Sequence, residues 1–335
     1  MSPLRFLAFA IVSLSFIAIT LFINPSGIAH CNTPASGEAS NKLLLDKTRY
    51  NNSNTNTPSI GGIMIRKNYP TQQGFITYWI NASKIPSKPW LVFLPGLTAN
   101  HHLFKDQLGH FKGKANLLVW DPPSHGKSRP FDTTWTIGQL AEWLNNLLES
   151  ESISNPVLVG QSMGGYISQA FMERFPRKTL AFISIDSAPL GRSHYRTWEL
   201  WGLKHTFLVY IGLPWQLILW SGANGCAETA KGALLMKRMM LDYRKMEYCK
   251  LVSHGYKELS REIEKNKTYR LECPTLLICG DKDRAGYTAR YNQQWAKEES
   301  NPVCWVEGAG HNANSDNPTE VNLLIEAFLE QQHLI

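Results

Sequence analysis

Gly160-Gln161-Ser162-Met163-Gly164 sets a serine among small residues. Small flanks permit the sharp turn that lifts a side-chain hydroxyl clear of the backbone, where it can attack a carbonyl carbon. At ordinary glycine frequencies a chain of this length contains the pattern by chance about one time in ten. Its setting is more informative than the pattern. Pro156-Val157-Leu158-Val159-Gly160 reads as a strand, and residues 163–175 read as a helix, so Ser162 occupies a strand–turn–helix junction. The helix N-terminus there favours developing negative charge. The bland alternative is a turn serine that caps the helix.

A serine nucleophile needs a base to take its proton and an acid to orient that base. His311, in Gly308-Ala309-Gly310-His311, follows the last strand-like run, and a glycine-rich loop is not the usual place for a core histidine. Asp283, in Gly280-Asp281-Lys282-Asp283, follows the strand-like run before it. The chain order is therefore Ser162, Asp283, His311, an order known to build such a triad. Asp281 competes for the acid role, and Asp186, just past the sixth strand, is a further rival. Position on the loop beyond the strand, rather than at its end, favours Asp283.

These side chains require a scaffold that brings distant loops to one edge. Phe75–Ile80, Trp90–Leu94, Asn116–Trp120, Pro156–Gly160, Leu180–Ile185, Thr275–Cys279 and Pro302–Val306 are short apolar runs. Such runs fit strands buried on both faces of a parallel sheet. Helical patterns alternate with them: Ile137, Leu140, Ala141, Leu144, Leu147 and Leu148 recur at helical spacing after Thr136, a good N-cap, and residues 318–332 form a last helix. This alternation predicts a parallel sheet with helices on both faces. It breaks at 190–270, where Trp198, Trp201, Trp215, Trp220, Met236, Met239, Met240 and Met246 accumulate without a clear strand. The stretch reads as a helical insertion whose large side chains mostly pack its own helices, with some left to line an apolar pocket.

The chain of 335 residues is ample for one α/β domain with an insertion. Its net charge of +7 is dispersed, which argues against nucleic acid as a partner while leaving anionic membrane surfaces open. Arg5 precedes an apolar run from Phe6 to Ile23, long enough to approach a bilayer span and longer than the apolar core of a usual signal peptide. Residues 1–29 are expected to be a signal peptide or an N-terminal membrane anchor, with cleavage after Ala29 as the secreted alternative. Either places the catalytic part outside the cytoplasm. Residues 30–60, rich in Ser, Thr, Asn and Pro, read as a disordered tether. Asn51, Asn81 and Asn266 begin glycosylation sequons, significant if the host modifies secreted proteins. The six cysteines show no CxxC or His/Cys cluster, so neither a metal nor a cofactor is expected; Cys226 and Cys249 are candidates for a disulfide in an extracellular setting.

Over roughly residues 61–333 the sequence resembles the α/β-hydrolase family. The motifs are Phe93-Leu94-Pro95-Gly96-Leu97, the segment Asp121-Pro122-Pro123-Ser124-His125-Gly126-Lys127-Ser128, the turn at Ser162, Gly280 to Asp283, and Gly310-His311. The resemblance implies a mostly parallel eight-stranded sheet flanked by helices, with core segments 61–189 and 271–335 and a helical cap, 190–270, inserted after the sixth strand. It also implies an oxyanion hole from the backbone N–H groups of Leu97 and Met163. Pro95 stands where many relatives have histidine, which alters loop support but leaves the backbone donor. The Asp121–Ser128 segment looks like a structural turn in that family, so His125 receives no catalytic role. The expected function is a serine hydrolase acting on a small-molecule carboxylic ester with an apolar portion. The alternatives are amide, thioester or carbon–carbon bond cleavage on the same triad, or a non-catalytic binding protein on the same scaffold. An aspartate-nucleophile dehalogenase or epoxide hydrolase is disfavoured by serine at position 162.

Overall fold

The computed structural model describes residues 64–81, 84–267 and 271–335. The expected anchor, the expected tether and the Asn51 sequon lie outside the described residues. Eight strands form one sheet: β1 (Met64–Thr71), β2 (Gly74–Asn81), β3 (Trp90–Leu94), β4 (Asn116–Trp120), β5 (Val157–Gln161), β6 (Ala181–Ile185), β7 (Thr275–Gly280) and β8 (Val303–Val306). Their spatial order is β1-β2-β4-β3-β5-β6-β7-β8. β1 and β2 pair antiparallel, β2 joins β4 antiparallel, and every later pairing is parallel. The expected fold class is therefore borne out.

β3, β4, β5 and β6 are buried along their whole length, as strands covered on both faces must be. β1, absent from the seven apolar runs, is mostly exposed over Ile65–Asn68 and has no apolar alternation to betray it. It exists because it pairs with β2 over eight register positions.

The flanking helices are α1 (Lys105–His110), α2 (Ile137–Ser150), α3 (Met163–Arg174), α9 (Thr288–Glu298), α10 (Ala313–Asp316) and α11 (Pro318–Gln331). α2 starts in a reciprocal capping box, with Thr136 Oγ1 accepting from Gln139 N and Gln139 Oε1 accepting from Thr136 N. It buries Leu140, Leu144 and Leu147 and packs against α3.

Between β6 and β7 the chain leaves the sheet and forms α4 (Thr197–Lys204), α5 (Thr206–Gly212), α6 (Trp215–Cys226), α7 (Ala230–Leu241) and α8 (Lys245–Glu264). α8 packs along α4 and α5, while α6 packs on α7. This helical layer rests on the edge of the sheet that carries Ser162. In α8, the position where a Cβ would stand on Gly255 lies 2.6 Å from Leu97 Cδ1, so the absence of a side chain lets the helix settle on the Leu97 loop. Beside it, His254 Nε2 meets the Trp135 carbonyl at 2.7 Å.

Cys226 and Cys249 are both free thiols, which corrects the expected disulfide. Cys226 ends α6 against the His311 loop, where its carbonyl accepts from Asn312 N at 2.7 Å, whereas Cys249 is enclosed in the first turns of α8. The two thiols serve separate packing contacts.

Candidate active site

Three loops at the C-terminal ends of parallel strands meet beneath the helical layer. β5 ends at Gln161, Ser162 follows in a left-handed conformation (φ 49°, ψ −114°), and α3 begins at Met163. Non-glycine residues hold such a backbone only where the surroundings enforce it. Here the enforcement comes from packing. A Cβ on Gly164 would stand 1.8 Å from the Leu94 carbonyl oxygen, so only glycine lets β3 and the turn approach each other. On the far side, Ser187 Oγ donates to the Ser162 carbonyl at 2.8 Å.

The structure brings Ser162, His311 and Asp283 into one hydrogen-bonded line. Ser162 Oγ lies 2.8 Å from His311 Nε2, and His311 Nδ1 lies 2.9 Å from Asp283 Oδ2. The other Asp283 oxygen accepts from Ala285 N at 2.8 Å, fixing the carboxylate's plane. Burial opposes a charge on His311, but the Asp283 carboxylate, its hydrogen bond and Asp186 together raise the imidazole above its ordinary value.

The two rival carboxylates have other partners. Asp281 Oδ1 accepts from Ala309 N at 3.2 Å and so shapes the base of the His311 loop. Asp186, fully buried past β6, accepts from Gly280 N through Oδ1 and from Ala313 N through Oδ2, each at 2.8 Å. It thus pins the loop carrying Asp283 and the loop carrying His311 at once. Burial first, and then the Asp283 charge, drive the Asp186 carboxyl well above the usual range.

Ligand atoms of Asp186, Cys279 and Asp283 converge within 4.8 Å. The carboxylate oxygens of this trio are already engaged by three backbone N–H groups and by His311. It is a hydrogen-bonded junction behind the line of three, and its donors are committed.

Met163 N–H heads α3, where no intrahelical acceptor exists. Leu97 follows Gly96, whose Cα abuts the turn so closely that an added Cβ would stand 3.0 Å from Ser162 Cβ. Both proposed oxyanion donors therefore border the serine. His125 is placed elsewhere: it is fully buried, its Nδ1 lies 2.9 Å from the Pro123 carbonyl, and burial lowers its pKa to about 4. Asp121 organises that turn by accepting from His101 N at 2.7 Å and Lys127 N at 2.6 Å.

Gln161 was not singled out from sequence. Its Nε2 donates to the His311 carbonyl at 2.7 Å and to Asn312 Oδ1 at 3.1 Å, tying the serine turn directly to the histidine loop. Its place as the variable second residue of the Gly-x-Ser-x-Gly turn was the available signal. The helical layer adds Tyr248, which is buried, and Tyr210 and Tyr256, which are partly buried; desolvation disfavours ionisation of all three phenols. A separate hollow of about 610 Å³, lined by Arg66, Phe75, Lys127, Phe131 and Asp132 among others, shares no residue with this site.

Comparison with known proteins agrees with the geometry. The profile described as "Alpha/beta hydrolase family" matches residues 91–322. A 3-oxoadipate enol-lactonase from Acinetobacter baylyi is 23% identical over 257 residues, covering 73% of this chain and 90% of the lactonase. A thermophilic esterase from Thermogutta terrifontis superposes with a TM-score of 0.66 at 16% identity, over 81% of this chain and 99% of the esterase. A hydrolase from Pseudomonas aeruginosa gives 0.66 at 16% identity, over 79% and 98%. The family match spans more than half the sequence and encloses the serine turn, the acid and the histidine loop: the chain is a hydrolase that belongs to the α/β-hydrolase family.

Proposed function

We propose that the chain is a serine hydrolase that cleaves carboxylic esters of small molecules through an acyl-enzyme. The observation that carries this reading is the unbroken line from Asp283 through His311 to Ser162 Oγ, at 2.9 and 2.8 Å. His311 Nε2 takes the hydroxyl proton as Ser162 Oγ bonds to the acyl carbon, while Asp283 holds the imidazole in the needed tautomer and stabilises the imidazolium that forms. The N–H groups of Leu97 and Met163 receive the oxyanion; one such donor contributes roughly 3 kcal/mol to transition-state stability. His311 then protonates the departing alkoxide. A water, deprotonated by the same nitrogen, frees the acid and restores the serine.

The enol-lactonase among the relatives acts on a cyclic ester by its name, which supports an ester carbonyl as the electrophile here. The Trp- and Met-rich helices above the site suit an apolar part of the substrate. Residues 1–29 serve in this reading as an anchor or export signal, placing the site outside the cytoplasm; recovery of full-length protein in soluble cytosol refutes that part.

The test is labelling by a fluorophosphonate probe, followed by turnover on acyl esters, lactones, amides and thioesters. Wild-type protein labels and hydrolyses an ester or lactone, and Ser162→Ala does neither. Equal labelling of the two proteins, or preferred turnover of an amide or thioester, rejects the proposal.

A further inference from the structure

Thr206 to Cys226 is a run of 21 residues without a single Asp, Glu, Lys or Arg. Within the folded chain it forms α5 and α6, two apolar helices set at 119° to each other across a short break. Neither is long enough to cross a bilayer. They are nevertheless not hidden. Leu208 is 65% exposed and Trp220 53%, and Phe207 and Leu217 are exposed beside them in sequence. On the preceding α4, Trp198 sits edge-on to the Tyr287 ring and Trp201 lies over His205, and both still expose over two-fifths of their surface. Six large apolar side chains thus face water within 23 residues of chain, more than the scattered single exposures of an ordinary surface.

The charge of the helical layer narrows the choice of partner. Residues 190–267 hold thirteen Lys and Arg against seven Asp and Glu, a surplus of six out of the chain's net +7. Without any long Lys/Arg run, the surplus therefore falls mostly within the helical layer that carries the exposed apolar groups. Tryptophan and leucine seat at the boundary between headgroups and acyl chains, while cations beside them meet anionic headgroups. A protein partner matched to the same face would need both an apolar hollow and an acidic rim; an anionic lipid leaflet supplies both ingredients without a shaped pocket.

We propose that α4, α5 and α6 form a docking face that lies in the interface of an anionic phospholipid leaflet, with Trp198, Trp201, Leu208, Leu217 and Trp220 inserted to the level of the upper acyl chains. The C-terminal end of α6 abuts the His311 loop through the Cys226 carbonyl and Asn312 N. Docking therefore brings the neighbourhood of the active site against the lipid. This face is independent of any N-terminal segment and of which bond the site cleaves.

The test uses the full chain in vesicles of phosphatidylcholine and phosphatidylglycerol whose acyl chains carry bromine, a contact quencher of indole fluorescence. All eleven tryptophans lie between Trp79 and Trp305, so an embedded N-terminus contributes no signal. Wild-type fluorescence falls relative to unbrominated vesicles. The variant combining Trp198→Phe, Trp201→Phe and Trp220→Phe loses most of that bromine-sensitive part. Leu208→Glu with Leu217→Glu abolishes quenching at the native tryptophans, while Phe75→Glu, an equally exposed change on β2, leaves it intact. Retained turnover of a water-soluble ester shows that a variant is folded; if no variant or wild type turns over, near-ultraviolet circular dichroism serves instead, and the docking result stands apart from the catalytic one. Unchanged quenching in the triple Trp→Phe variant overturns the proposal. So does a lipid-free dimer that Leu208→Glu and Leu217→Glu dissociate while quenching persists, since the face then belongs to a second copy.

Discussion

His311 is subject to opposed influences, and their balance is measurable. Burial favours the neutral ring, while Asp283 and Asp186 favour the charged one and prevail. As general base, His311 works when neutral, so kcat/KM falls as pH drops through its raised pKa. The acid limb of the profile is expected to have its midpoint above the ordinary imidazole value of about 6.5. Asp186→Ala removes one of the raising groups and moves that limb to lower pH. It also leaves Gly280 N and Ala313 N without their acceptor, a loss of about 1–3 kcal/mol for each buried group, read by denaturant unfolding. An unmoved limb with lowered stability would reduce Asp186 to a purely structural pin. Ser162, Asp283 and His311 were legible in the sequence because turn chemistry and chain order constrain them. The pinning by Asp186 and the reach of Gln161 to His311 were not, because each joins positions 94 or more residues apart whose neighbourhood exists only after folding.

Among the elements, the loop after β7 has little room to change. A Cβ on Gly280 would stand 2.3 Å from the carbonyl oxygens of both Ala309 and Gly310. Backbone cannot rotate aside as a side chain can, so Gly280→Ala is expected to displace the His311 loop. The consequence is a stability loss of about 1–3 kcal/mol together with a lower kcat in steady-state assays. Thr136→Ala provides the contrast: loss of its cap on α2 destabilises by about 1 kcal/mol and leaves kcat unchanged, because α2 touches none of the three aligned side chains. The interior strands were readable as continuous apolar runs. β1 was not, since Arg66, Lys67 and Asn68 show no apolar alternation and the strand is defined by its partner. α9 was missed for a related reason. Tyr291 and Trp295 bury one narrow stripe while Gln293, Gln294 and Lys297 make the window read as polar loop.

For the whole molecule, the break in alternation after β6 was enough to locate the helical layer, but neither its exposed apolar face nor its attachment could be read from it. Exposure depends on which side of each helix meets α8, and a composition count carries no such direction. The positive surplus there predicts that docking of this face strengthens with phosphatidylglycerol content and weakens as salt rises, since exposed charges are screened over about 10 Å at 0.1 M. Bromine quenching of the native tryptophans across a salt series measures this. The attachment has a consequence of a different kind. Asp316, at the end of α10, accepts from Glu228 N, Thr229 N, Thr229 Oγ1 and Gly310 N at 2.6 to 3.0 Å, so one core carboxylate holds both the start of α7 and the His311 loop. An insertion fastened in this way has no melting point of its own. Heated in a calorimeter, residues 64–335 should absorb heat in a single peak, and Asp316→Ala should split it or broaden its leading edge.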